Sequence, residues 1–208
     1  MKKTKIISIE AVVLSDDKPT GVGRAVKGYI KSLIESDHEN LYHIFMVAPS
    51  DNLSINKSNI VLHYFSDILP DRLQKKRYIN ILYKIKFIYI WFIIPFISKK
   101  IRSDIFIGTH GLLFPLYISR GIKTLYIVYD FVGILYPETM SRKNRILVKC
   151  ITKRNIRSSA EIITISDSVS SELKLLIDQN KICHTVHLGF DQSVFYPLKH
   201  FLLFCRWL

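Results

Sequence analysis

Three places along the chain bring reactive side chains together. Tyr129 and Asp130 follow Thr124–Val128, an apolar β-forming run with no polar periodicity of its own, and Tyr136-Pro137-Glu138 comes shortly after. A continuous apolar run suits a strand covered on both faces of a parallel sheet. Ligands of open α/β sheets sit beyond the carboxyl ends of the strands, which is where Tyr129, Asp130 and Glu138 would fall. His110 closes the preceding strand-like run, Asp104–His110, and can line the same crevice. Gly21-x-Gly23 lies between a first apolar run and a helical pattern. There, backbone N–H groups and the helix dipole attract anions, and glycine lets a phosphate or sugar approach the backbone. Each has a plainer reading: Asp130 as the cap of a turn, His110 as a structural residue, and the glycines as turn formers.

Other chemistries find little support. The third glycine position of a dinucleotide fingerprint holds Val26, and no Walker or Gly-x-Ser-x-Gly pattern is present. His184-x-x-His187 lacks the glutamate and helical context of a zinc motif, so no metal is expected there.

The elements that would position these residues alternate between strand and helix. Ile6 to Leu14 reads as a first strand, and Val22, Ala25, Val26, Tyr29, Ile30, Leu33 and Ile34 form one helical stripe. Strands are expected at Tyr42–Ala48, Ile60–Phe65, Asp104–His110, Thr124–Tyr129, Glu161–Ser166 and Thr185–Leu188. Leu73–Ile101 reads as one long helix or two broken near Pro95. Ser141 can cap a basic helix to about Arg157 with Ile146, Leu147, Cys150 and Ile151 inward, and Ser166 or Asp167 can cap another. The alternation implies an α/β fold with a Rossmann-like, mostly parallel sheet and helices on both faces.

Charge is segregated. Net charge is +13, and segments 72–102 and 141–157 carry nine and seven of the thirty basic residues with no acid in either. Such a field suits a membrane surface, a nucleic acid or a phosphorylated substrate, with a solvated face as the plain alternative. Phe87–Ile97 is apolar all round and spans only about 16 Å as a helix, too short for a bilayer core of about 30 Å. Flanking lysines also fit a helix lying in the membrane interface, against the alternative of a helix buried on the sheet. Three widely spaced cysteines give no disulfide framework and fit a reducing compartment, and Glu10 interrupts what would otherwise resemble a signal-peptide core.

Five segments, taken in order, resemble family 4 glycosyltransferases of the GT-B type. They are Gly21-Val22-Gly23-Arg24, Asp104-Ile105-Phe106, Tyr129-Asp130-Phe131 with Tyr136-Pro137-Glu138, Ala160–Ser168, and Gly189-Phe190-Asp191 with Phe195-Tyr196-Pro197. The resemblance implies that residues 1–197 are the acceptor-side domain, the first half of a GT-B fold. Residues 198–208 would be a truncated or frame-shifted tail, and the donor-binding domain with its Glu-x7-Glu pair would be absent.

It further implies a retaining, metal-independent hexosyltransferase of bacterial surface polysaccharide or O-antigen assembly. Its substrates would be a nucleotide-sugar donor and a lipid-linked or saccharide acceptor, with no cofactor. Tyr129 and Asp130 would sit beside the transferred sugar, with Gly21, Gly23, Arg24, His110 and Glu138 binding substrate. Tyr129 stands where the family commonly has histidine. The expected location is cytoplasmic, peripheral on the inner face of the membrane, and the chain alone would be inactive. The competing expectation is a non-catalytic Rossmann-like module that docks on a membrane or on a separate donor-binding subunit. No nucleic-acid recognition motif is present.

Overall fold

The computed structural model describes residues 3–16, 20–50, 53, 57–68, 86–110, 115 and 117–189, the side chains of residues 142–144 and 147 excepted. Seven strands form one parallel sheet: β1 Ile6–Glu10, β2 Leu41–Met46, β3 Ile60–Tyr64, β4 Ile105–Gly108, β5 Lys123–Val128, β6 Glu161–Thr164 and β7 Cys183–Thr185. Their order is β3-β2-β1-β4-β5-β6-β7. The expected α/β, Rossmann-like architecture is what the chain forms. The chain first builds outward from β1 to β3, then returns to β4 on the other side of β1 and builds outward the other way. Right-handed crossovers therefore place the helices of the two halves on opposite faces. The side chains agree: Tyr126 of β5 lies against Asn155, whereas Tyr129, of opposite parity, lies near Tyr29.

Hydrophobic burial explains the sheet centre. Ile9, Ile44, Phe45, Met46, Phe106, Tyr126 and Val128 are buried, and the edge strands β3 and β7 are the least buried. Polar ties at the amino ends set β4 beside β1: Ile6 N–H donates to Asp104 Oδ2 (2.8 Å), and the Ser8 and Ser103 hydroxyls are 2.7 Å apart.

Helix α1 (Gly21–Ser36) carries the stripe read from the sequence, burying Val26, Ile30 and Ile34. Its start corrects one expectation. Gly21 and Gly23 are not in a connecting loop but form the first helical turn, because Thr20 caps the helix and its Oγ1 accepts from Gly23 N–H (3.2 Å). The first strand is also shorter than expected. It ends at Glu10, whose carboxyl accepts from Val12 N–H (2.8 Å) and bends the chain into a buried 3-10 turn, Val12–Ser15.

The expected helix from Leu73 lies partly outside the described residues; residues 86–100 are helical. No break occurs at Pro95. Instead the helix widens to a π turn at Tyr89–Ile93, then continues as α2 (Ile94–Lys100). Ile94 N–H donates to Tyr89 O, five residues back. Proline lacks the N–H that would reach Trp91 O, and its ring crowds that carbonyl, so a wider turn just before it relieves both problems.

Past β5, a short helix α3 (Val132–Leu135) and a 3-10 turn (Pro137–Thr139) lead to α4 (Arg142–Ser158), and α5 (Asp167–Leu176) follows β6. Helix α4 corrects the inward set: Ile146 is 66% exposed and Cys150 is exposed, while Asn155 and Ile156 are fully buried. Leu147 falls outside the described side chains. Ser166 caps α5 by accepting from Val169 N–H (3.3 Å), and Val169 and Leu173 are its buried residues. The last strand begins two residues earlier than expected, at Cys183, and the segment 190–197 lies outside the described residues.

Candidate functional site

The topology selects the site. β1 is flanked by β2 and β4, so the winding direction reverses between β1 and β4 and leaves a crevice at their carboxyl ends. Four polar residues meet there: Glu10 from β1, Thr109 and His110 just past β4, and Tyr129 just past β5.

Glu10 is fully buried. Its Oε1 accepts from Val12 N–H (2.8 Å), and its Oε2 lies 3.2 Å from Thr109 Oγ1 and 3.4 Å from Thr109 N. Burial pushes its carboxyl up to about 7. The Val12 and Thr109 hydrogen bonds oppose this, as does, more weakly, the charge of Lys86.

His110 and Tyr129 each present a buried polar atom, His110 Nδ1 and the Tyr129 hydroxyl, with no hydrogen-bond partner among the described residues. Burial holds the His110 imidazole below its ordinary value, aided by Lys86 and opposed by Asp16. Burial also raises the Tyr129 phenol, and the Tyr29 and Glu10 charges push it further in the same direction. At neutral pH the crevice therefore offers a neutral imidazole and an un-ionised phenol, both able to hydrogen-bond a hydroxylated ligand. An unmet buried polar atom costs about 1–3 kcal/mol, which a bound hydroxyl would recover.

The other residues singled out in the sequence are differently placed. Asp130 is exposed, and its Oδ1 accepts from the N–H of Val132, the first residue of α3 (3.0 Å). Glu138 is exposed on the 3-10 turn, and Arg24 is exposed on the first turn of α1. Gly21 is also exposed and has open space where a Cβ would stand, so a ligand can approach the helix start there, while Gly23 is buried. Of the expected set, His110 and Tyr129 follow the carboxyl ends of the neighbouring strands β4 and β5, and each carries a buried polar atom. His184 pairs with Glu161 (2.9 Å), and His187 lies 3.9 Å from Asp167.

Glu10 and Thr109 were not read as site residues. One signal was in the sequence, a lone acid closing an apolar strand, and it acquires meaning only once β1 is known to lie at the switch point.

No protein-family model matches the sequence, and no curated protein matches it. Solved structures do resemble it. A sucrose-phosphate synthase from Thermosynechococcus elongatus superposes with a TM-score of 0.52 at 10% identity, covering 97% of this chain and 52% of that one. Anabaena HepE in complex with UDP gives 0.47 at 12% identity over 98% and 49%. An alpha-glucosyltransferase in complex with UDP and a 13-mer DNA gives 0.43 at 13% over 94% and 46%. The chain spans about half the length of these proteins. The likeness is one of fold: the chain shares its Rossmann-like architecture with about half of the sucrose-phosphate synthase.

Proposed function

We propose that this chain is the acceptor-side half of a glycosyltransferase that moves a hexose from a nucleotide sugar to a lipid-linked or saccharide acceptor in bacterial surface polysaccharide synthesis. The observation that carries the proposal is a pair of buried atoms at the carboxyl end of the sheet, His110 Nδ1 and the Tyr129 hydroxyl, neither with a partner among the described residues. A sugar offers neighbouring hydroxyls that donate and accept, which is what a neutral imidazole and a phenol need. The GT-B-like fold supports the reaction class, and UDP is the nucleotide in two of the resembling structures. The five family-like segments support family 4 and a retaining, metal-independent course. Donor binding is assigned to a unit outside these 208 residues, so the chain alone should not transfer sugar.

In this reading the residues have simple tasks. His110 and Tyr129 orient sugar hydroxyls, while Gly21 at the start of α1 presents backbone N–H groups toward a phosphate. Asp130 fixes the chain after Tyr129 through its bond to Val132 N–H.

Docking on the inner face of the membrane is part of the proposal. Residues 86–100 bury Tyr89, Ile90, Ile94 and Ser98 on one side and expose Ile88 (52%), Phe92 (62%) and Phe96 (67%) on the other. The exposed three recur every fourth residue and lead to Lys99 and Lys100, the pattern of an interfacial helix beside anionic lipid. Among the described residues no helix is long and apolar enough to cross a membrane. The same ridge favours the second reading, a non-catalytic module that docks through this face.

Saturation-transfer NMR on the whole chain tests the sugar site. With a panel of hexoses and short saccharides, with and without a lipid tail, transfer to the sugar is expected, and it should be lost in His110→Ala. Absence of transfer to every carbohydrate at millimolar concentration would leave only the docking module.

A further inference from the structure

The register of the sheet puts two helical segments on one face. Glu10 pairs with Gly108 and Gly108 with Tyr126, so the Glu10 and Tyr126 side chains leave the sheet on the same side. Glu10 lies within electrostatic reach of Lys86 and Tyr89 in residues 86–100, and Tyr126 bonds the Asn155 side chain of α4. Helix α1 covers the other side, where Tyr29 approaches Tyr129. Residues 86–100 precede β4, and α4 joins β5 to β6, so both segments run from the carboxyl ends of the strands back to the amino ends.

Their outer sides also match. In α4, Ile146, Lys149, Cys150, Lys153 and Arg157 recur at three- and four-residue steps and form one stripe. Ile146, Lys149, Cys150 and Arg157 are exposed, and Lys153 is half-buried. Beside it runs the ridge of Ile88, Phe92 and Phe96, ending in the exposed Lys99 and Lys100. Neither segment contains an acid, and none of these basic residues forms an ion pair with a described residue. The opposite face differs. Helix α1 exposes Arg24, Lys27, Lys31 and Glu35 but no large apolar side chain.

We propose that α4 is a second lipid-contact element, and that together with residues 86–100 it lays this face of the sheet flat on an anionic bilayer. Cations without acids call for an anionic partner, and large apolar side chains among them call for an apolar layer beneath its charge. A bilayer interface supplies both, whereas a nucleic-acid backbone supplies only the charge. Held this way, the crevice at the carboxyl ends of the strands opens along the membrane, about one helix diameter (~10 Å) above the headgroups. A sugar carried on a lipid headgroup can enter it there. The inference deepens the docking reading and rests on it: the ridge alone leaves the chain free to rotate about one line of contact, and the second helix fixes its orientation.

Sedimentation of the full chain with phosphatidylcholine vesicles, with and without phosphatidylglycerol, tests the contact. Each basic residue near an anionic surface is worth roughly fivefold in affinity, so Lys149→Gln, Lys153→Gln and Arg157→Gln together should weaken binding to the anionic vesicles roughly a hundredfold. Orientation is read separately, from an environment-sensitive fluorophore on Cys150 in a chain carrying Cys183→Ser and Cys205→Ser. Its emission should shift to the blue on vesicle binding. A fluorophore on the α1 side, at Lys27→Cys with Cys150→Ser added, should not shift. Undiminished binding of the triple variant, or a silent label on Cys150, would overturn the proposal while leaving docking through the ridge intact. Binding to short duplex DNA as tight as to vesicles, and lost in the same triple variant, would also overturn it. Failure of the wild-type chain to sediment with any vesicle would remove both the ridge and this second contact. The fluorophore readings need no change in the basic residues, so they decide the matter even if the triple variant fails to fold.

Discussion

Replacing Glu10 with glutamine should change how stability depends on pH, and the size of the change follows from burial. The folded carboxyl titrates at about 7 and the unfolded one near its ordinary 4.5. Between those values the folded chain binds more protons, so folding stability falls as pH rises through the window and levels off above it. From pH 5 to pH 8 this single group removes about 2.5 kcal/mol, by the linkage relation at about 1.36 kcal/mol per pH unit. Glutamine keeps an acceptor for Val12 N–H and, like the protonated acid, carries no charge, so it stands in for that form at every pH. Other titrating groups, including His43, cancel when wild type and variant are compared at the same pH. Urea unfolding at pH 5 and pH 8 provides the measurement. The Glu10→Gln chain should gain about 2.5 kcal/mol on the wild type between the two pH values. An unchanged gap, within about 0.5 kcal/mol, would refute the claim that Glu10 carries its proton into the folded core.

Four further outcomes follow. His43 Nδ1 lies 2.8 Å from His63 Nε2, and burial lowers the His43 imidazole to about 4, so the unfolded chain takes up that proton first. Stability is then lost as pH falls from about 6.5 toward 4, and His43→Gln should move the acid unfolding midpoint, followed by circular dichroism, to lower pH. Gly133→Ala puts a Cβ 2.8 Å from Val148 Cγ1 and 2.9 Å from Met140 Cε, and should cost about 1–3 kcal/mol in denaturant melts. Tyr129→Phe removes a buried hydroxyl with no partner among the described residues, so it should raise stability by up to about 1 kcal/mol while weakening saccharide binding. Phe92→Ser with Phe96→Ser should leave the melting curve in place yet reduce sedimentation with anionic vesicles roughly thirtyfold, about 1 kcal/mol for each partly exposed ring.

Much of the architecture was legible because it rests on local periodicity. The stripe from Val22 to Ile34 becomes α1, and each expected strand has its counterpart within a few residues. The misplacements have local physical causes. The Val12 N–H bond to the Glu10 carboxyl ends β1 early, and the Thr20 cap draws the two glycines into the helix. Of the two readings open at Pro95, the unbroken helix is the one formed, by way of a π turn. Helix α4 turns Ile146 outward and Asn155 inward, which apolar spacing alone could not foresee, since the Asn155 side chain bonds the Arg154 guanidinium and Tyr126. The site was half legible. His110 and Tyr129 were visible as polar residues closing apolar strands. Glu10 and Thr109 were not, because their partnership joins positions 99 residues apart and depends on β4 returning to lie beside β1.

The central claim is that His110 Nδ1 and the Tyr129 hydroxyl await a sugar. A crystal structure of the chain soaked with whichever saccharide shows saturation transfer tests this most directly. The account predicts sugar hydroxyls within hydrogen-bonding distance of both atoms. A saccharide bound elsewhere, with both atoms satisfied by a protein partner, would contradict it.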